Sequence, residues 1–189
     1  MDIKLITTKS GKTIYVYDNL FTFNERIRFY QFMKASSFRI HNSDGIHEYL
    51  RNQFFSQYSI QDVENLGIKD TEGYKQLDAI HNFSNRDLIQ SRVNCTTPFE
   101  QCGYHIDYSK GSSTFLYYGN LEWDQTWSGQ TVFGSEDLKE IEYASFFIPG
   151  RVIVFDGSIP HMIVPPNMYA KEVRLSFSIQ HKQLKKENV

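Results

Sequence analysis

The sequence predicts a mainly β protein in which an N-terminal layer of helices packs on a C-terminal β-core. Three observations carry that reading. Beyond about residue 87 the chain breaks into short runs rich in β-branched and aromatic residues, separated by turn signals. Before that point, apolar residues recur at helical spacing in three segments. The composition also suits sheet, because the 15 Phe and 12 Tyr fit pleated, half-buried surfaces.

Residues 13–17, Thr-Ile-Tyr-Val-Tyr, form the first expected strand. A helix is expected over 24–34, where Phe23, Ile27, Tyr30 and Met33 recur on one side and Thr22 or Asn24 supplies a cap. Two more helices are expected at 60–66, ended by Gly67, and at 74–83, with Tyr74, Leu77 and Ile80 as its apolar face. Strands follow at 88–95, 104–108, 114–118, 130–133, 143–148, 151–155, 161–164 and 172–181. Turn pairs such as Gly119-Asn120, Ser128-Gly129, Pro149-Gly150 and Asp156-Gly157 lie between many of them. That texture fits a sandwich, a barrel or a jelly roll. No repeat or Pro/Gly-rich linker interrupts it, so 1–189 is expected as a single domain. Within it, 1–86 would be a support layer, 87–181 the core, and 182–189 a frayed, solvated tail.

Bulk properties narrow the function. With 40% hydrophobic and 22% charged residues the chain reads as a globular protein. A formal charge of −2 argues against a nucleic-acid partner, since a phosphate-binding surface usually shows as a basic excess. No apolar run is long enough for a signal core or a membrane span, and Cys95 and Cys102 are too few for a disulfide framework. The expectation is a cytoplasmic protein with free thiols.

The chemistry concentrates in three places. On a strand, His105 and Asp107 point to one face while Ile106 turns to the other, so the pair can bind one metal. His161 follows the apolar run 151–155 and the Asp156-Gly157 turn, at the start of another strand where its imidazole can meet that pair. Two imidazoles and one carboxylate on one side of a metal leave open positions, the arrangement of non-haem Fe(II) oxygenases. Third, Arg174, Ser176 and Ser178 alternate with Val173, Leu175, Phe177 and Ile179. An Arg among hydroxyls on an inward face needs an anion, and its planar fork suits a carboxylate, with Ser176 adding a further hydrogen bond.

Together these motifs resemble the prolyl-4-hydroxylase-like branch of the 2-oxoglutarate/Fe(II)-dependent dioxygenases. The resemblance covers about Arg92 to His181: Gly103-Tyr104-His105-Ile106-Asp107, Leu116-Tyr117-Tyr118, Ser128-Gly129-Gln130-Thr131-Val132-Phe133, Gly150-Arg151-Val152-Ile153-Val154-Phe155-Asp156, His161 with Pro165, and Arg174-x-Ser176. Val16-Tyr17-Asp18-Asn19-Leu20-Phe21 before a helix resembles that family's N-terminal entry. The resemblance implies a double-stranded β-helix, a cupin-like jelly roll, with Fe(II) held by His105, Asp107 and His161. It implies 2-oxoglutarate as cosubstrate on Arg174 and Ser176, with Tyr117 on the distal carboxylate and ascorbate as an auxiliary reductant. The implied reaction couples oxidative decarboxylation of 2-oxoglutarate to hydroxylation of an unactivated C–H bond, in a peptidyl proline or in a free metabolite. The chain departs from the pattern at Ser128-Gly129, where Gly-Gly is usual, at Cys95, where many relatives carry a second tyrosine, and in a long His161–Arg174 interval.

Plainer readings compete at each position. His105 and Asp107 could be a surface strand pair, His161 a satisfied core histidine, and Arg174 a structural ion-pair partner. Tyr117 could simply pack, as aromatic residues in strands usually do. His41, His47, His81 and His181 lack a comparable setting, and Trp123 and Trp127 fit packing as well as substrate contact. The competing function class is a cupin-type metal-binding protein without 2-oxoglutarate. Arg174-x-Ser176 separates the two, because such a protein has no need for a carboxylate anchor.

Overall fold

The computed structural model describes residues 1–41, 53–100, 103–107 and 111–183. The stretch 39–55, which has no strand or helix expected from its sequence, is therefore described only at its ends, and His47, Cys102, Tyr108 and the tail from 184 lie outside the described residues.

Strands dominate, all paired antiparallel, in two sheets. The larger has eight strands in the order β1 (Asp2–Thr7), β2 (Thr13–Asp18), β9 (Val152–Asp156), β6 (Ser112–Tyr118), β11 (Arg174–Gln183), β5 (Arg86–Thr96), β4 (Gln53–Tyr58) and β3 (Arg39–His41). The smaller is β10 (His161–Ile163), β7 (Thr131–Gly134) and β8 (Ile141–Ser145). Two facing antiparallel sheets of this kind are consistent with the jelly-roll fold of 2-oxoglutarate oxygenases. Residues 1–86, expected as a support layer, also supply β1 to β4 to the large sheet.

Helices α1 (Phe23–Lys34), α2 (Ile60–Asn65) and α3 (Glu72–His81) lie on the outer face of that sheet. The first is started by a capping box: the Thr22 hydroxyl accepts from the Glu25 N–H, and the Glu25 carboxylate accepts from the Thr22 N–H at 2.7 Å. Two orphan amides are thereby satisfied. Its buried residues are Phe29 and Met33, whereas Phe23 of the expected stripe is 63% exposed. The face is turned because the helix meets the sheet through its middle and last turns. Ser59 and Thr71 cap α2 and α3, and Asn82 ends α3 in the left-handed region.

Two apolar clusters sandwich the large sheet. Phe29, Met33, Leu77, Tyr117, Leu175, Phe177 and Ile179 fill the helix side. Ile14, Leu116, Tyr118, Phe133, Phe147, Ile153 and Phe155 fill the space between the sheets. Adjacent residues of β6 and β9 thus enter opposite clusters, as strand alternation requires. Among the described residues no helix is long and apolar enough to cross a membrane.

Candidate active site

His105 and His161 are brought together by backbone before side chain. They form an isolated antiparallel bridge, with the His105 N–H on the His161 carbonyl at 3.0 Å and the reverse bond at 2.8 Å. Over the described residues 104–107 the expected strand is reduced to this single bridge, and the Asp107 N–H donates to the Gly157 carbonyl. Ile106 turns outward and is 53% exposed, as a residue between two inward ones should.

The side chains are then fixed individually. His105 Nδ1 lies 3.2 Å from the Gly103 carbonyl and His161 Nδ1 lies 2.9 Å from the Ile159 carbonyl. A carbonyl only accepts, so each Nδ1 carries the proton and each Nε2 keeps its lone pair for a ligand. Both Nε2 atoms face Asp107, His105 at 3.8 Å from Oδ1 and His161 at 3.6 Å from Oδ2. The Thr114 hydroxyl donates to Asp107 Oδ2 at 2.6 Å. All three donor atoms lie within 4.8 Å of one another, so one ion can touch them all. A set of two nitrogens and one oxygen, oriented from behind by backbone and hydroxyl groups, fits a divalent transition metal with open positions.

The second half of the site is built by β11, β6 and β7. Arg174 is 0% exposed. Its Nε donates to the Gly129 carbonyl at 2.8 Å, and its terminal nitrogens to Ser176 Oγ and Thr131 Oγ1, both at 3.1 Å. Its guanidinium lies over the rings of Tyr118 and Phe147, 5.1 and 4.7 Å from their centroids. The Gly129 carbonyl is available because that residue takes φ +93°, a conformation costly for any side chain, with the Trp123 ring packed against it. Trp123 thereby acts as a support, its indole N–H on the Ser128 carbonyl at 2.9 Å.

Of the six expected site residues, His105, Asp107 and His161 come together as one group and Arg174 with Ser176 as a second, whereas Tyr117 joins neither. Its ring sits on the helix side between Phe21 and Phe29, at 5.6 and 5.7 Å. Tyr118 takes the inner position instead, opposite Ser176 in register and with its hydroxyl donating to Thr131 Oγ1 at 2.7 Å. The signal that could have found it is the Leu116-Tyr117-Tyr118 run read against the alternation of β11; register, which sequence does not print, decides between neighbours. Sequence also gave no sign of Glu100. It is 5% exposed, accepts from the Phe54 N–H at 3.0 Å, and burial pushes its carboxyl up to about 7 while nearby Arg174 pulls it down.

No family model matches the chain, and no curated protein matches it in sequence. Solved structures do match in fold. A Trichoplax adhaerens prolyl hydroxylase in complex with a hypoxia inducible factor peptide superposes with a TM-score of 0.66 at 16% identity, covering 90% of this chain and 83% of that one. HygX from Streptomyces hygroscopicus, with nickel and 2-oxoglutarate bound, gives 0.66 at 9%, covering 91% and 83%. SnoN, a non-haem 2-oxoglutarate-dependent epimerase from nogalamycin biosynthesis, gives 0.65 at 10%, covering 90% and 78%. The chain thus has the fold of the 2-oxoglutarate/Fe(II) oxygenases, hydroxylases and an epimerase among them.

Proposed function

We propose that this protein is a 2-oxoglutarate- and Fe(II)-dependent oxygenase that hydroxylates an unactivated C–H bond. The observation that carries the reading is that the inter-sheet space holds both a three-donor metal set and a buried guanidinium dressed with hydroxyls. In β7, Thr131 stands two residues from Phe133, the register partner of His161. Roughly 7 Å along the strand therefore separates the anchor from the metal ligands, a span that a five-carbon dicarboxylate bridges.

In this reading His105, Asp107 and His161 hold Fe(II), and Thr114 keeps the Asp107 carboxylate aimed. Arg174 receives the distal carboxylate with its planar fork, and Ser176, Thr131 and Tyr118 complete the hydrogen bonds around it. Iron and 2-oxoglutarate, when bound, supply oxygen activation; ascorbate serves as an auxiliary reductant. The apolar walls from Leu116, Phe133 and Phe155 exclude water from the space where this occurs. Peptide binding by the Trichoplax neighbour supports a peptidyl target, proline foremost, while the epimerase neighbour supports a free small molecule. A cupin-type protein without 2-oxoglutarate would have no use for a guanidinium held ready in this way.

The test is succinate formation from 2-oxoglutarate by purified protein with Fe(II), ascorbate and oxygen. Slow turnover without prime substrate is expected, and its loss in His161→Ala. Arg174→Ala should retain metal but weaken 2-oxoglutarate binding at least about thirty-fold, the scale of losing one member of a buried charge pair. Unchanged affinity in that variant would sink the anchor assignment.

A further inference from the structure

β1 is an edge of the large sheet: β2 pairs with one side of it, and among the described residues no strand pairs with the other. Sheet edges are commonly blunted by proline, by a bulge or by charges that face an incoming strand. β1 runs through six residues in unshifted register with β2, without Pro or Gly, and Lys4 is its one basic residue. Its side chains are as open as its edge. Ile3 and Leu5, 52% and 54% exposed, stand opposite Tyr17 and Tyr15 on the helix side of the sheet. Asp2 and Lys4 alternate onto the other side, where the Lys4 ammonium lies 4.9 Å from the Tyr143 ring centroid.

The hairpin turn shows which peptide groups face outward. The Thr8 N–H donates to the Lys12 carbonyl at 2.9 Å, one step beyond the Thr7–Thr13 pair. Hydrogen-bonded pairs alternate along an antiparallel ladder, so Asp2, Lys4 and Ile6 direct their backbone groups to β2. Ile3, Leu5 and Thr7 direct theirs to the open edge. A second β1 can meet these groups antiparallel in three registers centred on the strand. Centred on Lys4, the register sets like charges opposite one another. Centred on Leu5, it sets Lys4 against Ile6 and Ile3 against Thr7. Centred on Ile3, it sets each Asp2 against the partner's Lys4 and each Leu5 against the partner's Met1. Only this last register matches every pair in charge or apolarity.

We infer that this edge is a homodimer interface in which two copies join β1 to β1 about a two-fold axis between their Ile3 residues. The two eight-stranded sheets become one continuous sheet. Two Asp2–Lys4 pairs flank the axis on one side of it, and Ile3 and Leu5 of both copies form an apolar stripe on the other. The contact uses the same edge on each copy, so association stops at two. It lies three strand spacings, roughly 14 Å, from β6, whose Thr114 braces Asp107. The inference therefore stands apart from the metal site and does not depend on the oxygenase reading.

Sedimentation velocity on the full chain tests it. The wild-type mass should pass from 22.2 kDa to twice that value as concentration rises toward about 1 mM. Asp2 and Lys4 are both exposed, so charge reversal at either should leave the fold intact. D2K opposes a lysine to Lys4, and K4D opposes an aspartate to Asp2. Each variant alone should raise the dimer dissociation constant about tenfold. Mixed in equal amounts, the two restore both opposite-charge pairs and should dimerise with each other as tightly as wild type. A 22.2 kDa species at every concentration would overturn the inference and leave the edge to a strand of another protein. A dimer unmoved by both variants, or variants that do not recover on mixing, would overturn it too, by placing the contact on another surface.

Discussion

Near Arg174 the two faces of β11 are equally dry and differ in what they carry. Leu175, Phe177 and Ile179 are at most 3% exposed and enter the helix-side core. Arg174 and Ser176, alternating with them, are both 0% exposed yet hydrogen-bonded into the inter-sheet space. Burial alone therefore does not separate packing from function. Chemistry does, because desolvating a guanidinium costs several kcal/mol and is sustained only where an anion or directed dipoles offset it. The apolar face holds the strand in place, and the polar face uses that rigidity to aim donors.

The sharpest way to break this comparison is to attack each face separately. Asp107→Ala, on the polar side, should reduce turnover to background while the urea midpoint stays near that of wild type; retained turnover would refute the metal assignment. Phe177→Ala, on the apolar side, should do the reverse. It removes a buried ring that is 1% exposed and should cost about 3–5 kcal/mol in urea unfolding, with the remaining folded protein keeping its 2-oxoglutarate affinity. A loss of affinity in folded Phe177→Ala would mean that the two faces are coupled through the backbone.

The apolar face also carries a pH response. At its end His181 stacks on Phe83, whose other neighbours include His81, at centroid distances of 4.5 and 5.4 Å. Burial, assisted by Arg86, pushes both imidazoles down from 6.5 to about 4. The folded chain resists their protonation, so their stabilising contribution is full above pH 6.5 and is lost as pH falls toward 4. Glu100, raised from 4.5 to about 7, acts oppositely, costing stability as pH rises through that interval. Two histidines outweigh one carboxyl, so the thermal midpoint should fall on acidification below pH 6.5. His181→Phe should shallow that fall; an unchanged slope would place its origin elsewhere.

The smallest and most discriminating contrast lies between neighbours. Tyr118→Phe removes the hydroxyl bond to Thr131 and should weaken 2-oxoglutarate binding by about 0.5–1.5 kcal/mol, while Tyr117→Phe should leave it unchanged. Equal effects would mean that the register of β6 against β11 differs in solution.

That pair also shows where sequence reading stops. His105, Asp107, His161 and Arg174 were legible because each breaks an apolar or turn pattern at a position whose side-chain direction follows from its neighbours. Tyr117 and Tyr118 are adjacent and chemically identical, and only the pairing of Ser176 with Tyr118 assigns the inner one. The edge strands were lost for another reason. From Asp2 to Thr7 the strand is exposed on both faces except for half-buried Ile6, so no alternation is imprinted on it. Arg39–His41 and the first half of Gln53–Tyr58 fell inside 39–55, which read as a loop because neither stretch shows a clear alternation of apolar and polar residues. Helix starts were partly marked: Thr22 was one of two expected caps and does start α1, whereas α3 begins at Glu72 behind Thr71, two residues before the expected 74.

The alternation along β11 has a consequence for how such a chain can age. Hydrophobic core positions accept volume-conserving exchange at small cost, so Leu175, Phe177 and Ile179 are free to wander among aliphatic and aromatic residues over long divergence. Arg174 has no such synonym, because no other side chain offers the same fork to Gly129, Ser176 and Thr131 at once. One strand should thus keep two clocks, a fast one set by volumes and a slow one set by donors. Kinship in this architecture is better sought in every second residue than in the whole string.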